Sequence, residues 1–118
     1  MPHLVIRHVP EETLAERSAR LADRLAEAIG CERSWITLDL DRSVRIVDGR
    51  IAGCASVTGS GADACPFVTV DWFRRPEPVR AAVAAVIADE LRGRAAFVTT
   101  VFRELDPAAY FEDGKAFG

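Results

Sequence analysis

Pro2-His3-Leu4-Val5-Ile6-Arg7-His8 is the stretch whose reading decides the fold. Its apolar, β-branched centre is the pattern of a strand buried in a sheet, so residues 3 to 9 are predicted as strand one. Proline is small enough to follow a removable initiator, and Met1 is expected to be cleaved, leaving a free prolyl secondary amine. An amine on a frayed terminus is chemically unremarkable. One anchored on a core strand sits in a dry pocket, where loss of solvent favours its neutral form. A neutral amine near pH 7 is a general base or a nucleophile. The plain alternative is that Pro2 is an accident of the translation start.

The 118 residues suffice for one domain with a core of its own, while leaving room to gain from oligomerisation. A hydrophobic share of 49% against 28% charged is an ordinary globular balance. A net charge of −3 argues against nucleic acid as partner. No apolar run nears the roughly 18 residues that span a bilayer, and the N-terminus lacks the basic and apolar regions of a signal peptide. Cys31, Cys54 and Cys65 are an odd set without metal-ligand spacing, with only His3 and His8 to join them. They read as reduced thiols of a cytoplasmic protein, and a zinc site is not expected.

Outward from strand one, Pro10-Glu11-Glu12-Thr13 opens a helix with acidic residues where the helix dipole favours them. Leu14, Ser18, Leu21, Leu25 and Ile29 form its apolar stripe, and Gly30 ends it. Trp35 to Leu40 is predicted as strand two, with Ile36, Leu38 and Leu40 on one face and Trp35, Thr37 and Asp39 on the other. Val44 to Ala52 reads as a hairpin turning at Asp48-Gly49. Residues 53 to 64, rich in Gly, Ser and Ala, read as a loop; Gly59-Ser60-Gly61 lacks the lysine and helix of a phosphate loop. Pro66 to Phe73 is strand three, apolar on both faces. Helix two runs from about Pro76 to Arg92 on Val79, Val83, Val86, Ile87 and Leu91, and Gly93 ends it. Ala96 to Arg103 is strand four. The tail, residues 104 to 118, holds Tyr110, Phe111 and Phe117 and is expected to dock.

Residues 2 to 40 and 66 to 103 thus repeat strand-helix-strand. Each is a β-α-β unit with a right-handed crossover and parallel strands. The fold class is α+β: duplicated β-α-β units in one domain over 1–118, forming a four-stranded mixed sheet with two helices on one face. Strands one and three are apolar on both faces, which calls for cover on the second face too. A neighbouring subunit supplies it most simply, and a homo-oligomer is expected; the alternative is a ferredoxin-like monomer whose tail crosses the sheet.

Met1-Pro2-His3 opening a strand, the Gly30 boundary, the second β-α-β unit and the closing Tyr110-Phe111-Glu112-Asp113-Gly114-Lys115-Ala116-Phe117 together resemble the tautomerase superfamily. Its members include 4-oxalocrotonate tautomerase, macrophage migration inhibitory factor and 5-carboxymethyl-2-hydroxymuconate isomerase. The likeness covers essentially the whole chain, and among branches it is nearest to a group of short bacterial proteins. It implies a homotrimer, a prolyl amine in a pocket between subunits, and cofactor-independent proton transfer between carbon and oxygen on small 2-oxo or 2-hydroxy-2-enoate acids.

Such chemistry needs a base, and a stabiliser for charge that develops on oxygen. Pro2 is the expected base. Trp72, Phe73, Arg74 and Arg75 could lower its proton affinity through apolar walls and positive charge. Arg74, at the end of strand three, is the first choice for the substrate carboxylate, which a guanidinium fork binds in two hydrogen bonds; Arg75, expected to point the other way, is the second. Both could equally be a solvated strand end. Tyr110 is a hydroxyl donor or an aromatic anchor, and Thr37 and Asp39 are pocket residues or an exposed strand face. His3 is read as structural, and Arg7 and His8 as pocket rim or subunit contact. The resemblance departs at Thr37, which stands where 4-oxalocrotonate tautomerase has a basic residue, and at the arginine pair, where cytokine-like members are small or apolar. Two other readings stay open: a cationic Pro2 acting as the acid of a decarboxylase or hydratase, and a non-catalytic trimeric binding module.

Overall fold

Leu4 and Ile6 are wholly buried while His3, Val5 and Arg7 are half-buried, the alternation imposed on a strand with one fully covered face. This strand, β1 (His3–Arg7), is the second of four in the sheet. The computed structural model describes residues 1–52 and 65–118, so the predicted loop at 53–64 lies outside the described residues. Along the chain, β1 is followed by α1 (Glu11–Ile29), a 3-10 turn at Arg33–Trp35, β2 (Thr37–Asp41), a hairpin of β3 (Arg45–Val47) and β4 (Arg50–Ala52), β5 (Phe67–Phe73), α2 (Glu77–Leu91) and β6 (Thr99–Leu105). A second 3-10 turn at Pro107–Ala109 leads to a small hairpin of β7 (Phe111–Glu112) and β8 (Lys115–Ala116).

The main sheet has the order β2-β1-β5-β6. Strand β1 runs parallel to β2, β5 runs parallel to β6, and β1 meets β5 antiparallel with His3 opposite Asp71 and Leu4 opposite Val70. This is the expected mixed sheet of two β-α-β units. Leu4, Ile6, Val68, Val70 and Trp72 from the central strands join Leu14, Leu21 and Leu25 of α1 and Val83, Val86, Ile87 and Leu91 of α2 in one core. Burying each of these side chains contributes about 1.5–3 kcal/mol against leaving it in water, and that common core is what forces both helices onto one face.

Helix α1 begins after Pro10 with Glu11 and Glu12 in its first turn and ends at Gly30, whose left-handed φ of 78° lets its N–H reach the carbonyl of Ala26 at 2.8 Å. The helices are tied by a buried carboxylate that the apolar stripe of α2 does not announce. Glu90 is 2% exposed, and both its oxygens accept from Arg20 Nε at 2.8 and 3.0 Å, one of them also from Arg24 at 3.0 Å. Arg17 donates to the Glu90 backbone carbonyl. The Arg20 hydrogen bonds, then those of Arg24, hold the Glu90 carboxyl below its ordinary range against the opposing effect of burial.

Several boundaries differ from the sequence reading: strand one ends at Arg7 and not at Val9, and strand four runs on to Leu105. Trp35 lies in the 3-10 turn rather than in strand two, and 54% of it is exposed. Strand four begins at Thr99, not Ala96, because its ladder starts where Thr99 N–H donates to the Pro66 carbonyl at 3.0 Å. Opposite the helices, Val5, Phe67 and Phe73 are half-buried and Val101 is 39% exposed. The tail covers one end of that open face: Tyr110 and Phe117 pack on Phe73 with ring centroids 5.3 and 5.7 Å away.

Candidate active site at the N-terminus

Antiparallel register brings Met1 and Pro2 alongside the end of β5, since one step beyond the His3–Asp71 pair is Trp72 and the next is Phe73. Pro2 is among the fully buried side chains, and its carbonyl accepts from Thr37 N–H at 3.1 Å, the bond that starts the β1–β2 ladder. Met1 before it is half-buried, with its amine donating to the Trp35 carbonyl at 3.0 Å. The strand thus carries its first residues into structured surroundings.

Met1, Trp35, Phe73, Arg75, Glu112 and Phe117 line a cavity of about 480 Å³, within the size range of small-molecule sites. Three aromatic walls, one guanidinium and one carboxylate therefore converge on the N-terminal residue. Arg75 comes from the segment between β5 and α2, and its guanidinium carbon sits 5.8 Å from the centre of the Trp72 ring, a cation–π stack that restrains the side chain. The Nε of Arg75 is buried and has no acceptor among the described residues.

Tyr110 stands behind the cavity wall. Its ring meets Phe73 and Phe117 edge-on, the latter at 4.9 Å, and its hydroxyl donates to Glu112 Oε1 at 3.2 Å. His3 Nε2 lies 3.3 Å from the same hydroxyl, within hydrogen-bond reach. Loss of solvent first, then the hydrogen bond and negative charge of Glu112, push the Tyr110 hydroxyl above its ordinary value, so it stays a donor. Tyr110 is accordingly the aromatic anchor of the tail, and its hydroxyl donates to Glu112.

The other expected residues scatter. Arg74 is exposed and faces a separate cavity of about 430 Å³ with Arg75, Pro76, Glu77, Arg80 and Glu104. It does not line the cavity at Met1, and Arg75 does. The strict alternation behind the opposite ranking stops at Phe73, where β5 ends and the chain turns toward α2. Thr37, opposite His3, and Asp39, opposite Val5, sit on the open face of the sheet outside the cavity lining. Arg7 is bound to Asp41 at 3.0 Å. Glu112 and Trp35 were not singled out for the site. The signal for Glu112 was present: Asp113-Gly114 repeats the Asp48-Gly49 turn dipeptide, and all four residues have positive φ, 51° and 76° against 50° and 75°.

Among the described residues, no three His, Cys, Asp or Glu side chains are grouped to hold a metal ion, and no helix is long and apolar enough to cross a membrane.

Paired β-α-β units in one four-stranded mixed sheet with both helices on one face make a tautomerase-like α+β fold. The chain is similar to a macrophage migration inhibitory factor-like protein from Entamoeba histolytica, at 18% identity and TM-score 0.70 over 98% of each chain. It is also similar to Pt0534, solved after inactivation by 2-oxo-3-pentynoate, at 15% identity and TM-score 0.72 over 98% of this chain and 94% of that one. A crystal structure from Sebaldella termitidis, described as a domain of unknown function (DUF1904), is 29% identical with TM-score 0.83 over 99% of this chain and 100% of that one. Residues 1–116 match that family, and the chain belongs to DUF1904. A comparison with curated proteins gives no match.

Proposed function

We propose that this protein is a cofactor-independent tautomerase or isomerase whose base is the Pro2 amine, freed by removal of Met1 in the cytoplasm, acting on a small 2-oxo or 2-hydroxy-2-enoate acid. The observation that supports this reading is the cavity at Met1, which Arg75 lines: on this reading, loss of Met1 would free the nitrogen of the buried proline that follows it. Apolar walls and the guanidinium both disfavour the ammonium form. Arg75 binds the substrate carboxylate and sets the reacting carbon against the amine. The amine takes a proton from carbon or oxygen and returns it to the other atom, while the guanidinium offsets charge on the enolate. The half-buried apolar residues of the open sheet face, Val5, Phe67 and Phe73, support assembly as a homotrimer.

A second reading is favoured by Glu112 in the same cavity: a carboxylate there stabilises a cationic Pro2, the acid of a decarboxylase or hydratase. The test is direct. Intact mass should show loss of Met1, and 2-oxo-3-pentynoate should label the Pro2 nitrogen. Ketonisation of phenylenolpyruvate or 2-hydroxymuconate should fall by at least about a hundredfold in Pro2→Ala. Retained Met1, or equal rates for wild type and Pro2→Ala, would sink the enzyme and leave a binding module.

A further inference from the structure

The cavity contains one carboxylate, and its placement is too well supported to be incidental. Glu112 lies on a two-residue strand whose hairpin closes on Asp113-Gly114 and whose flanks are fixed by Phe117 N–H donating to the carbonyls of Pro107 and Tyr110 at 3.2 and 3.0 Å. Tyr110 Oη donates to Glu112 Oε1, and His3 Nε2 approaches the same hydroxyl from the residue directly after Pro2. His3 has an alternative carboxylate opposite it on β5, Asp71, but both oxygens of Asp71 are occupied by Arg103 at 2.6 and 2.7 Å. The chain Glu112–Tyr110–His3 therefore runs from the cavity back to the strand that carries the amine.

We infer that Glu112 is the counter-charge of the N-terminal amine, held at the cavity by Tyr110 and, through Tyr110, by His3, so that the tail governs which protonation state the amine carries. The inference rests on the reading of Pro2 given above and names what tunes it. Charges around the amine pull in opposite directions. Arg75 shares the cavity and opposes protonation; Glu112 favours it. Around Glu112 itself stand Lys115, its partner across the hairpin, the adjacent Asp113, and the Tyr110 hydroxyl; His3 and the Asp71–Arg103 pair lie behind. Among the described residues, neither Arg75 nor Lys115 forms an ion pair with Glu112, so its charge is left for the amine. Tyr110 and His3 are positioning residues: neither lines the cavity, and they fix where the carboxylate stands.

The experiment follows the rate of Pro2 labelling by 2-oxo-3-pentynoate against pH, since only the neutral amine attacks the electrophile. Full-length wild type, Glu112→Gln and Tyr110→Phe are compared, with thermal melting to confirm folding. Glu112 is exposed at the cavity mouth, so the shift belongs at the small end of what an opposite charge produces, about one pH unit downward in Glu112→Gln. Well below both midpoints that is an increase of about tenfold in labelling rate. Tyr110→Phe should move the midpoint the same way by less, and added salt should shrink the difference between wild type and Glu112→Gln. An unmoved midpoint in Glu112→Gln, with wild type labelled normally, overturns the inference and leaves Pro2 standing. Wild type that is not labelled at Pro2 at all takes both down.

Discussion

Truncating Arg75 should cripple capture of a carboxylate, whereas truncating its neighbour Arg74 should do almost nothing. The two side chains are adjacent in sequence and share one cavity, but only Arg75 also lines the cavity at Met1. The guanidinium of Arg75 is restrained over Trp72, and it has no ion-pair partner among the described residues, so little must be rearranged when an anion arrives. A fork binding a carboxylate makes two charge-assisted hydrogen bonds, each contributing about 1.5–3 kcal/mol. The cavity is open and water replaces part of the loss, so about 2–4 kcal/mol is the expected cost of Arg75→Ala. That corresponds to a half-saturation concentration for 2-oxo-3-pentynoate labelling raised about 30- to 1000-fold. Arg75→Lys keeps the charge without the fork and should fall between. Arg74→Ala, an exposed residue lining its cavity with Glu77 and Glu104, should stay within about threefold of wild type. The measurement is the concentration dependence of Pro2 labelling, with the maximal rate fitted separately so that binding and reactivity are not confused. Equal losses in Arg74→Ala and Arg75→Ala, or a loss confined to the maximal rate, would refute the assignment of Arg75 to the carboxylate.

The remaining predictions concern the frame that holds this site. Glu90→Gln keeps the volume but weakens the bonds to Arg20 and Arg24; those arginines are 70% and 38% exposed and recover water, so the loss should be about 1–3 kcal/mol, read as a lower melting temperature at fixed chain concentration. Because the folded Glu90 carboxyl lies below its ordinary value of 4.5, its contribution is complete above that pH and fades as pH falls through the lower folded value. Wild type and Glu90→Gln melting curves should therefore converge in acid, and a constant gap would contradict the account. His8 acts in the same direction in wild type and variant alike, since burial first, then Arg45 and Arg7, hold its imidazole below 6.5 and disfavour charging it. Leu25→Ala, at a fully buried position on α1, should cost about 2–5 kcal/mol without altering the pH dependence of Pro2 labelling.

The readable parts of this protein are those whose environment repeats along the chain. β1 and β5 lie in the middle of the sheet, and their near-continuous apolar runs were enough to place both. The helices were readable for the same reason, except at Glu90, where a carboxylate on the inner face makes sense only once Arg20 and Arg24 of the other helix are beside it. Strand β6 was shifted because an edge strand starts where its partner offers a carbonyl, here Pro66, and not where its own composition turns apolar. Trp35 was misread as strand because an exposed aromatic in a 3-10 turn carries the same propensity as one in a ladder. The site falls between these cases. Pro2 and an arginine at the end of β5 follow once the family arrangement sets strand three beside strand one, since antiparallel neighbours bring one strand's start to the other's end. Which arginine faces the amine does not, because alternation constrains side chains only while the ladder continues, and it stops at Phe73. Glu112 was harder still: two-residue strands have no periodicity to detect, and the Asp113-Gly114 turn becomes informative only when Tyr110 and Phe117 are known to anchor both ends on Phe73. The residues that tune the amine thus come from the part of the chain with least local pattern, where a hydrogen bond from Tyr110 rather than a strand position decides where Glu112 points.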